Sequence, residues 1–252
     1  MSDASSLRDK DYAYGFWCAT GHPAIVDAAA ASEPDFIVID AQHGVDLAAV
    51  DASLFTVMAH YGVTGLVRVP SIDVAPIGRS LDLGASGVIV PLVESAADAE
   101  RAVAATRYAP EGKRSYGMQT RRVGPFDETP FVAIQVETTA AVENLDAIAS
   151  VDGVDALYIG PADLGLGIGG EPAPDVNNVF DRAHGLSQEL SEAFMAVVAA
   201  CVRNGIIPGL HVGDGATAAR ARGHGFTFSS VAADLGLIGA GLTRELRAAR
   251  ES

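Results

Sequence analysis

Eight short apolar runs, each followed by a longer stretch with helical spacing, recur along the whole chain, and this alternation limits the fold more than any other feature. The pattern predicts strands at Ala13–Cys18, Asp35–Asp40, Gly65–Val69, Gly87–Pro91, Phe131–Glu137, Ala156–Gly160, Ile207–Val212 and Phe226–Val231. Alanine-rich helical segments lie between them, such as Leu47–His60, Ala96–Arg107, Thr139–Val151, Leu186–Arg203 and Ala216–Arg222, opened or closed by Ser, Thr, Asp or Gly. Strands that alternate with helices pair in parallel, and eight such units close into a TIM (β/α)8 barrel of the α/β class. The 252 residues suit one such barrel, and no linker or repeat interrupts them, so we expect a single domain over 1–252.

Charge narrows the partners. Asp and Glu outnumber Lys and Arg by 32 to 17, giving a net charge of −15, which argues against nucleic acid or an anionic membrane surface. Lys10 and Lys113 are the only lysines, and acidic residues occupy helix faces where lysine is common, which reads either as a halophilic pattern whose self-repulsion molar salt would screen or as an ordinary acidic enzyme. No apolar run reaches the roughly 18 to 20 residues that span a bilayer, and the charged start lacks a signal-peptide h-region, so a cytoplasmic location is expected. Two cysteines, Cys18 and Cys201, fit a reducing compartment as core residues, with one bridge between them the alternative.

In a barrel of this kind chemistry collects where strands end. The fifth run ends at Glu137 and the sixth is followed by Asp163, and two carboxylates from neighbouring strands suit a hard divalent ion, Mg²⁺, Mn²⁺ or Co²⁺, with positions left for water and an oxygen-rich substrate. The second run leads into Asp40-Ala41-Gln42-His43, and the third carries Arg68, so a base and a cation share that rim, with a structural ion pair as the other reading of Arg68. Gln135, two residues before Glu137, would point to the same barrel interior. Gly165, Gly167 and Gly170 fit G-x-G-x-x-G, but the run does not open a helix straight after a strand, and we reject a dinucleotide site. His211 and His224 lack metal-ligand spacing and read as ordinary loop or core histidines.

Taken in order, these segments together with Leu81-Asp82-Leu83-Gly84-Ala85, Val88-Ile89-Val90-Pro91-Leu92-Val93, Arg107-Tyr108-Ala109-Pro110-Glu111-Gly112-Lys113-Arg114 and Gly153-Val154-Asp155 resemble the metal-dependent class II pyruvate aldolases of the HpcH/HpaI aldolase and citrate lyase family, including those for 4-hydroxy-2-oxoheptanedioate and 2-keto-3-deoxy sugar acids. The resemblance implies cleavage of a 4-hydroxy-2-oxo acid to pyruvate and an aldehyde, or the reverse condensation, through a metal-stabilised pyruvate enolate. It implies that Glu137 and Asp163 hold the metal and that Arg68 stabilises the developing oxyanion. His43 would exchange the C4 hydroxyl proton, a task suited to histidine's ordinary pKa of about 6.5, with Asp40 orienting its imidazole. Asp82 would reach a neighbouring subunit's histidine, which makes the site depend on a homo-oligomer, a hexamer built from dimers. Gln135 would donate to the keto oxygen, with core packing the other reading, and the backbone at Ala162-Asp163-Leu164 would hold the pyruvate carboxylate if a helix begins at Pro161.

The chain departs from the family pattern in two places. Gln42 stands where a glutamate usually precedes the histidine, and Gly165–Gly170 is unusually glycine-rich, which reads as a mobile rim. The segment Ala109–Pro130 holds Arg114, Tyr116, Arg121 and Arg122, as cations either for an acidic semialdehyde or in a solvated or intersubunit cluster. Leu235–Leu242 is apolar for a terminal helix and would pack between subunits. Two other functions stay open: a lyase acting on CoA thioesters, which would need a basic site for phosphates, and a catalytically silent barrel that binds an oxo acid.

Overall fold

The computed structural model describes residues 5–117, 129–173, 176–181 and 186–251. Eight strands form a closed parallel barrel in chain order, β8 returning to β1. They are β1 Ala13–Cys18, β2 Phe36–Asp40, β3 Thr64–Arg68, β4 Gly87–Val90, β5 Phe131–Val136, β6 Ala156–Ile159, β7 Ile207–Leu210 and β8 Phe228–Ala233. A short α1, Ser5–Arg8, precedes the barrel, and α2 Pro23–Ala30, α3 Ser53–His60, α4 Val74–Leu83 and α5 Ala96–Thr106 follow the first four strands. Beyond β5 come α6 Thr139–Glu143 and α7 Leu145–Ala149, then α8 Pro161–Gly169, α9 Val176–Phe180 and α10 Leu186–Asn204 after β6, α11 Gly215–Gly223 after β7, and α12 Asp234–Glu251 at the end. No helix among the described residues is long and apolar enough to cross a membrane.

Strand alternation explains the barrel's two cores. Ile37, Ile39, Val132, Ile134, Val136, Leu157 and Ile159 face outward and are buried under the helices. Phe36, Val38, Leu66, Phe131, Ala133, Ala156, Tyr158, Trp17 and Phe228 face inward, and Leu7 of α1 joins them at the amino end. The aromatic rings fit because a neighbouring strand gives way: a Cβ on Gly15 would be driven into the ring of its register partner Phe36. Each inward column turns polar toward its carboxyl end, as in Phe36-Val38-Asp40, Leu66-Arg68 and Phe131-Ala133-Gln135-Glu137. The interior is therefore a plug of hydrocarbon below and a polar pocket above.

Two expected helices are broken. Leu47–His60 becomes a 3-10 turn, Leu47–Ala49, capped by Asp46 accepting from the Ala48 N–H at 2.8 Å, and then α3, before which Asp51 turns the chain by accepting from the Ser53 N–H at 2.7 Å. Thr139–Val151 divides at Asn144, whose amide donates to the carbonyls of Glu94 and Ala140, both at 3.0 Å. The glycine run expected as a mobile rim is instead most of α8, which packs over buried Leu164 and Gly165 and ends on left-handed Gly170. Cys18 and Cys201 are free and buried, which excludes the bridge, and burial pushes their thiols up to about 11 and about 12.

Candidate active site

Register sets the first contact. Asp40 and Arg68 are paired Cα partners on β2 and β3, both facing inward, and their side chains close a two-pronged ion pair, Nε to Oδ1 at 2.9 Å and Nη2 to Oδ2 at 2.6 Å. Trp17 of β1 adds its Nε1 donor to Asp40 Oδ2 at 3.3 Å, and its ring lies 4.9 Å from the Arg68 guanidinium carbon. Burial alone would raise the Asp40 carboxyl, but the Arg68 bonds and charge, with the N–H groups of His43 and Gln42, hold it below the usual range. Arg68 is thus both the ion-paired and the site-facing residue that the sequence left as alternatives.

Asp40 does not orient the His43 ring as expected. Its carboxylate is taken by Arg68 and Trp17, and it reaches the histidine only through the backbone N–H, Oδ1 accepting from Gln42 at 3.1 Å and from His43 at 3.3 Å. It therefore fixes the start of the loop while the His43 side chain stands exposed at the rim. Gly44 next to it is held by contact: a Cβ there would lie 2.6 Å from the Asp40 carbonyl oxygen.

Glu137 follows the last residue of β5 and is buried. The Leu92 N–H donates to Oε1 at 2.7 Å, and the Gln135 amide donates to Oε2 in a short contact. Leu92 adopts a φ of 56°, a left-handed conformation uncommon outside glycine, so backbone strain is retained where the carboxylate is gripped. Burial pushes the Glu137 carboxyl above its ordinary value, and the charge of Asp163 adds to this against the Leu92 and Gln135 bonds and Arg68. Asp163 sits in the first turn of α8, which begins at Pro161 as expected and leaves the N–H groups near Ala162 without intrahelical acceptors.

These atoms suit a divalent cation. Gln135 Oε1 is buried without a partner, and a Cβ at Gly160 would lie 2.8 Å from Gln135 Nε2 and 3.3 Å from Glu137 Oε2, so glycine leaves a cradle beside the carboxylate. Among the described residues no cluster of three His, Cys, Asp or Glu side chains occurs, and the donor set is the carboxylate pair plus neutral oxygen.

Asp82 and Arg114 lie elsewhere. The α4 helix returns from the carboxyl rim, and Asp82 in its last turn is at the barrel's amino end, where Arg114 Nη2 donates to Oδ1 at 2.7 Å. Arg114 is therefore committed to an intrachain pair and stacks 4.7 Å from the Tyr108 ring, so it is neither a solvated cation nor a free anchor for an aldehyde. Arg121 and Arg122 fall outside the described residues.

Sequence reasoning missed the pocket floor. Tyr158 on β6, His211 just after β7 and Ser230 on β8 meet there, with Trp17 edge-on to the imidazole at 4.6 Å. The signal was present: Ile207, Gly209 and His211 share one strand parity, which points the histidine inward, whereas metal-ligand spacing sends the reader past it. His224 matches its expectation as a packed histidine, stacked 4.4 Å from Phe180.

Comparison with known proteins identifies the family. The family model for HpcH/HpaI aldolase/citrate lyase matches residues 13–239. The chain is similar to a 4-hydroxy-2-oxovalerate aldolase of Novosphingobium aromaticivorans, 40% identical over 169 residues that make up 64% of each chain. It is similar also to a hydroxypyruvate/pyruvate aldolase of Paraburkholderia phytofirmans, 31% identical over 92% of this chain and 90% of that one. Among solved structures, an HpcH/HpaI family protein from Burkholderia cenocepacia J2315 superposes with a TM-score of 0.84 at 29% identity, covering 98% of both chains. The chain belongs to the HpcH/HpaI aldolase/citrate lyase family.

Proposed function

We propose that the protein cleaves 4-hydroxy-2-oxo acids to pyruvate and an aldehyde and catalyses the reverse condensation. The observation that carries this reading is the convergence of Glu137, Gln135, Arg68 and Asp163 at the carboxyl end of a barrel whose family includes aldolases. Glu137 and Asp163 would hold a divalent ion, Mg²⁺ or Mn²⁺ with Co²⁺ the further candidate, which supplies Lewis-acid polarisation of the keto oxygen when bound. Arg68, fixed by Asp40, places fixed positive charge where the enolate develops, and Gln135 presents its amide to the same oxygen. In cleavage His43 takes the C4 hydroxyl proton, the C3–C4 bond breaks, its electron pair passes to the enolate, and C4 leaves as the aldehyde carbonyl. Protonation at C3 then yields pyruvate. The N–H groups around Ala162, at the start of α8, receive the substrate carboxylate.

The partners are therefore small molecules, an oxo acid and an aldehyde. The thioester alternative would need free cations for the CoA phosphates, and Arg8, Arg68, Arg107, Arg114 and Arg220 are each paired with an aspartate. A homo-oligomer, in the form of a hexamer built from dimers, is proposed from Leu235, Leu237, Ile238 and Leu242, which are each more than half exposed on α12. In it Asp82, whose Oδ1 is held by Arg114 of its own chain, would reach a neighbouring His43 across the interface through Oδ2. A cytoplasmic setting is part of the same proposal, and the net charge of −15 supports adaptation to salt. Product analysis tests the function: 4-hydroxy-2-oxo acids incubated with enzyme and Mn²⁺ in molar KCl should release equal amounts of pyruvate and aldehyde, and a folded, metal-loaded enzyme that releases neither would contradict the reading.

A further inference from the structure

We propose that His211 is the residue by which the pocket recognises a hydroxyl group on its substrate, presenting an imidazole Nε2 that Tyr158 and Ser230 hold in place beside Trp17. The inference rests on the aldolase reading and names the chemistry of the group that the pocket floor selects.

The ring is anchored by one nitrogen. His211 Nδ1 lies 3.3 Å from Tyr158 Oη and 3.2 Å from Ser230 Oγ, and those two oxygens are 3.4 Å apart, closing a triangle. Tyr158 and Ser230 are fully buried, and Ser230 Oγ also donates to the Val212 carbonyl at 2.7 Å and accepts from the Val212 N–H at 3.0 Å. Trp17 meets the imidazole edge-on at 4.6 Å and stacks parallel to Tyr158, so the ring plane is set as well. Nε2 makes no hydrogen bond among the described residues.

Proton counting decides what Nε2 can offer. Ser230 spends its proton on Val212, so the triangle contains one Tyr158 proton and one imidazole proton. If Tyr158 donates to Nδ1, Nε2 carries hydrogen and donates outward. If Tyr158 donates to Ser230, Nδ1–H donates to Tyr158 Oη and Nε2 accepts. Both arrangements satisfy every buried group, and passing between them takes the imidazole proton off one ring nitrogen and returns one to the other, with the group bound at Nε2 or solvent as the carrier. The group that exploits such a position is one that can also donate and accept, a hydroxyl. Burial and the charge of Arg68, against the opposite effect of Asp40, push His211 down to about 4, so the imidazole is neutral at working pH and offers a carboxylate no charge. The hydroxyl can come from the 3-position of the oxo-acid donor or the 2-position of the aldehyde.

Condensation rates separate these sources. The full-length enzyme with Mn²⁺ is assayed with pyruvate against 3-hydroxypyruvate and with acetaldehyde against glycolaldehyde, in wild type, His211→Leu, His211→Asn and Tyr158→Phe. The expected result is a wild-type kcat/KM preference for the hydroxylated member of one pair that falls about tenfold in His211→Leu, is largely retained by the neutral amide of His211→Asn, and weakens mainly through KM in Tyr158→Phe. The pair affected identifies the source. Tyr158→Phe keeps the ring on Trp17 and carries the test if His211→Leu does not fold. Equal effects on both members of each pair, no wild-type preference, or an Asn variant as poor as Leu would overturn the proposal. Exchange of pyruvate methyl protons by wild type distinguishes the failures: with exchange present only the His211 inference is lost, and without it the aldolase reading falls too.

Discussion

Replacing Asp40 with asparagine removes one charge from the best-defined contact in the pocket while keeping its shape. The two-pronged pair with Arg68 has side chains only 11% and 5% exposed, so solvent can compensate the orphaned guanidinium only in part. Breaking a buried pair from one side typically costs 3–5 kcal/mol, and the cation–π contact with Trp17 retains some of that, which sets the expected loss at about 3 kcal/mol. Urea unfolding in molar KCl reads the loss, and a cycle with Arg68→Met should show coupling above roughly 1.5 kcal/mol. Since a guanidinium free to swing no longer faces the developing enolate, pyruvate proton exchange should fall about 100-fold in the asparagine variant, with little further loss in the double variant. An Asp40→Asn enzyme within about 0.5 kcal/mol and threefold of wild type, or losses that simply add, would refute the argument that Asp40 acts by holding Arg68.

Three other expectations follow from the same geometry. Gly160→Ala should fold, since its φ of −95° suits any residue, yet its methyl displaces the Gln135 amide beside Glu137, and a drop in exchange of at least tenfold with unchanged circular dichroism would show it. Millimolar Mn²⁺ at about 100 times Kd should stabilise the wild type by about 2.7 kcal/mol, visible as a rise in Tm that EDTA reverses and Glu137→Gln abolishes; an equal rise in the variant would place the ion elsewhere. His211 is lowered in the folded state from the ordinary 6.5 to about 4, so the unfolded chain binds the extra proton first. Its contribution, at most about 3 kcal/mol, is complete above pH 6.5 and lost as pH falls toward 4, and His211→Phe should flatten the stability profile in that window.

The strand pattern was legible because burial on both faces leaves short, continuous apolar runs, and all eight appear within one or two residues of their expected bounds. Helices without a clean apolar stripe were harder to read. The Val74–Leu83 helix contains Pro76 and Gly78, and Pro161–Gly169 carries glycines that intrinsic propensity counts against; packing decides both, since a Cβ at Gly165 would strike the backbone of Pro172 and Ala173. Glu137, Gln135 and Arg68 could be placed together because strand parity and strand ends suffice for them. The partner of Asp40 could not, because it depends on the register between β2 and β3. Leu92 contributes only a backbone N–H, which no side-chain pattern announces.

The central claim is that these residues generate an enolate from pyruvate. It is tested most directly by following exchange of pyruvate's methyl protons with deuterated water by NMR, in molar KCl with Mn²⁺ or Mg²⁺, before and after EDTA and in Glu137→Ala. The account predicts exchange that disappears with the metal and with the carboxylate. Exchange absent from the folded, metal-loaded wild type, or undiminished in Glu137→Ala, would contradict it.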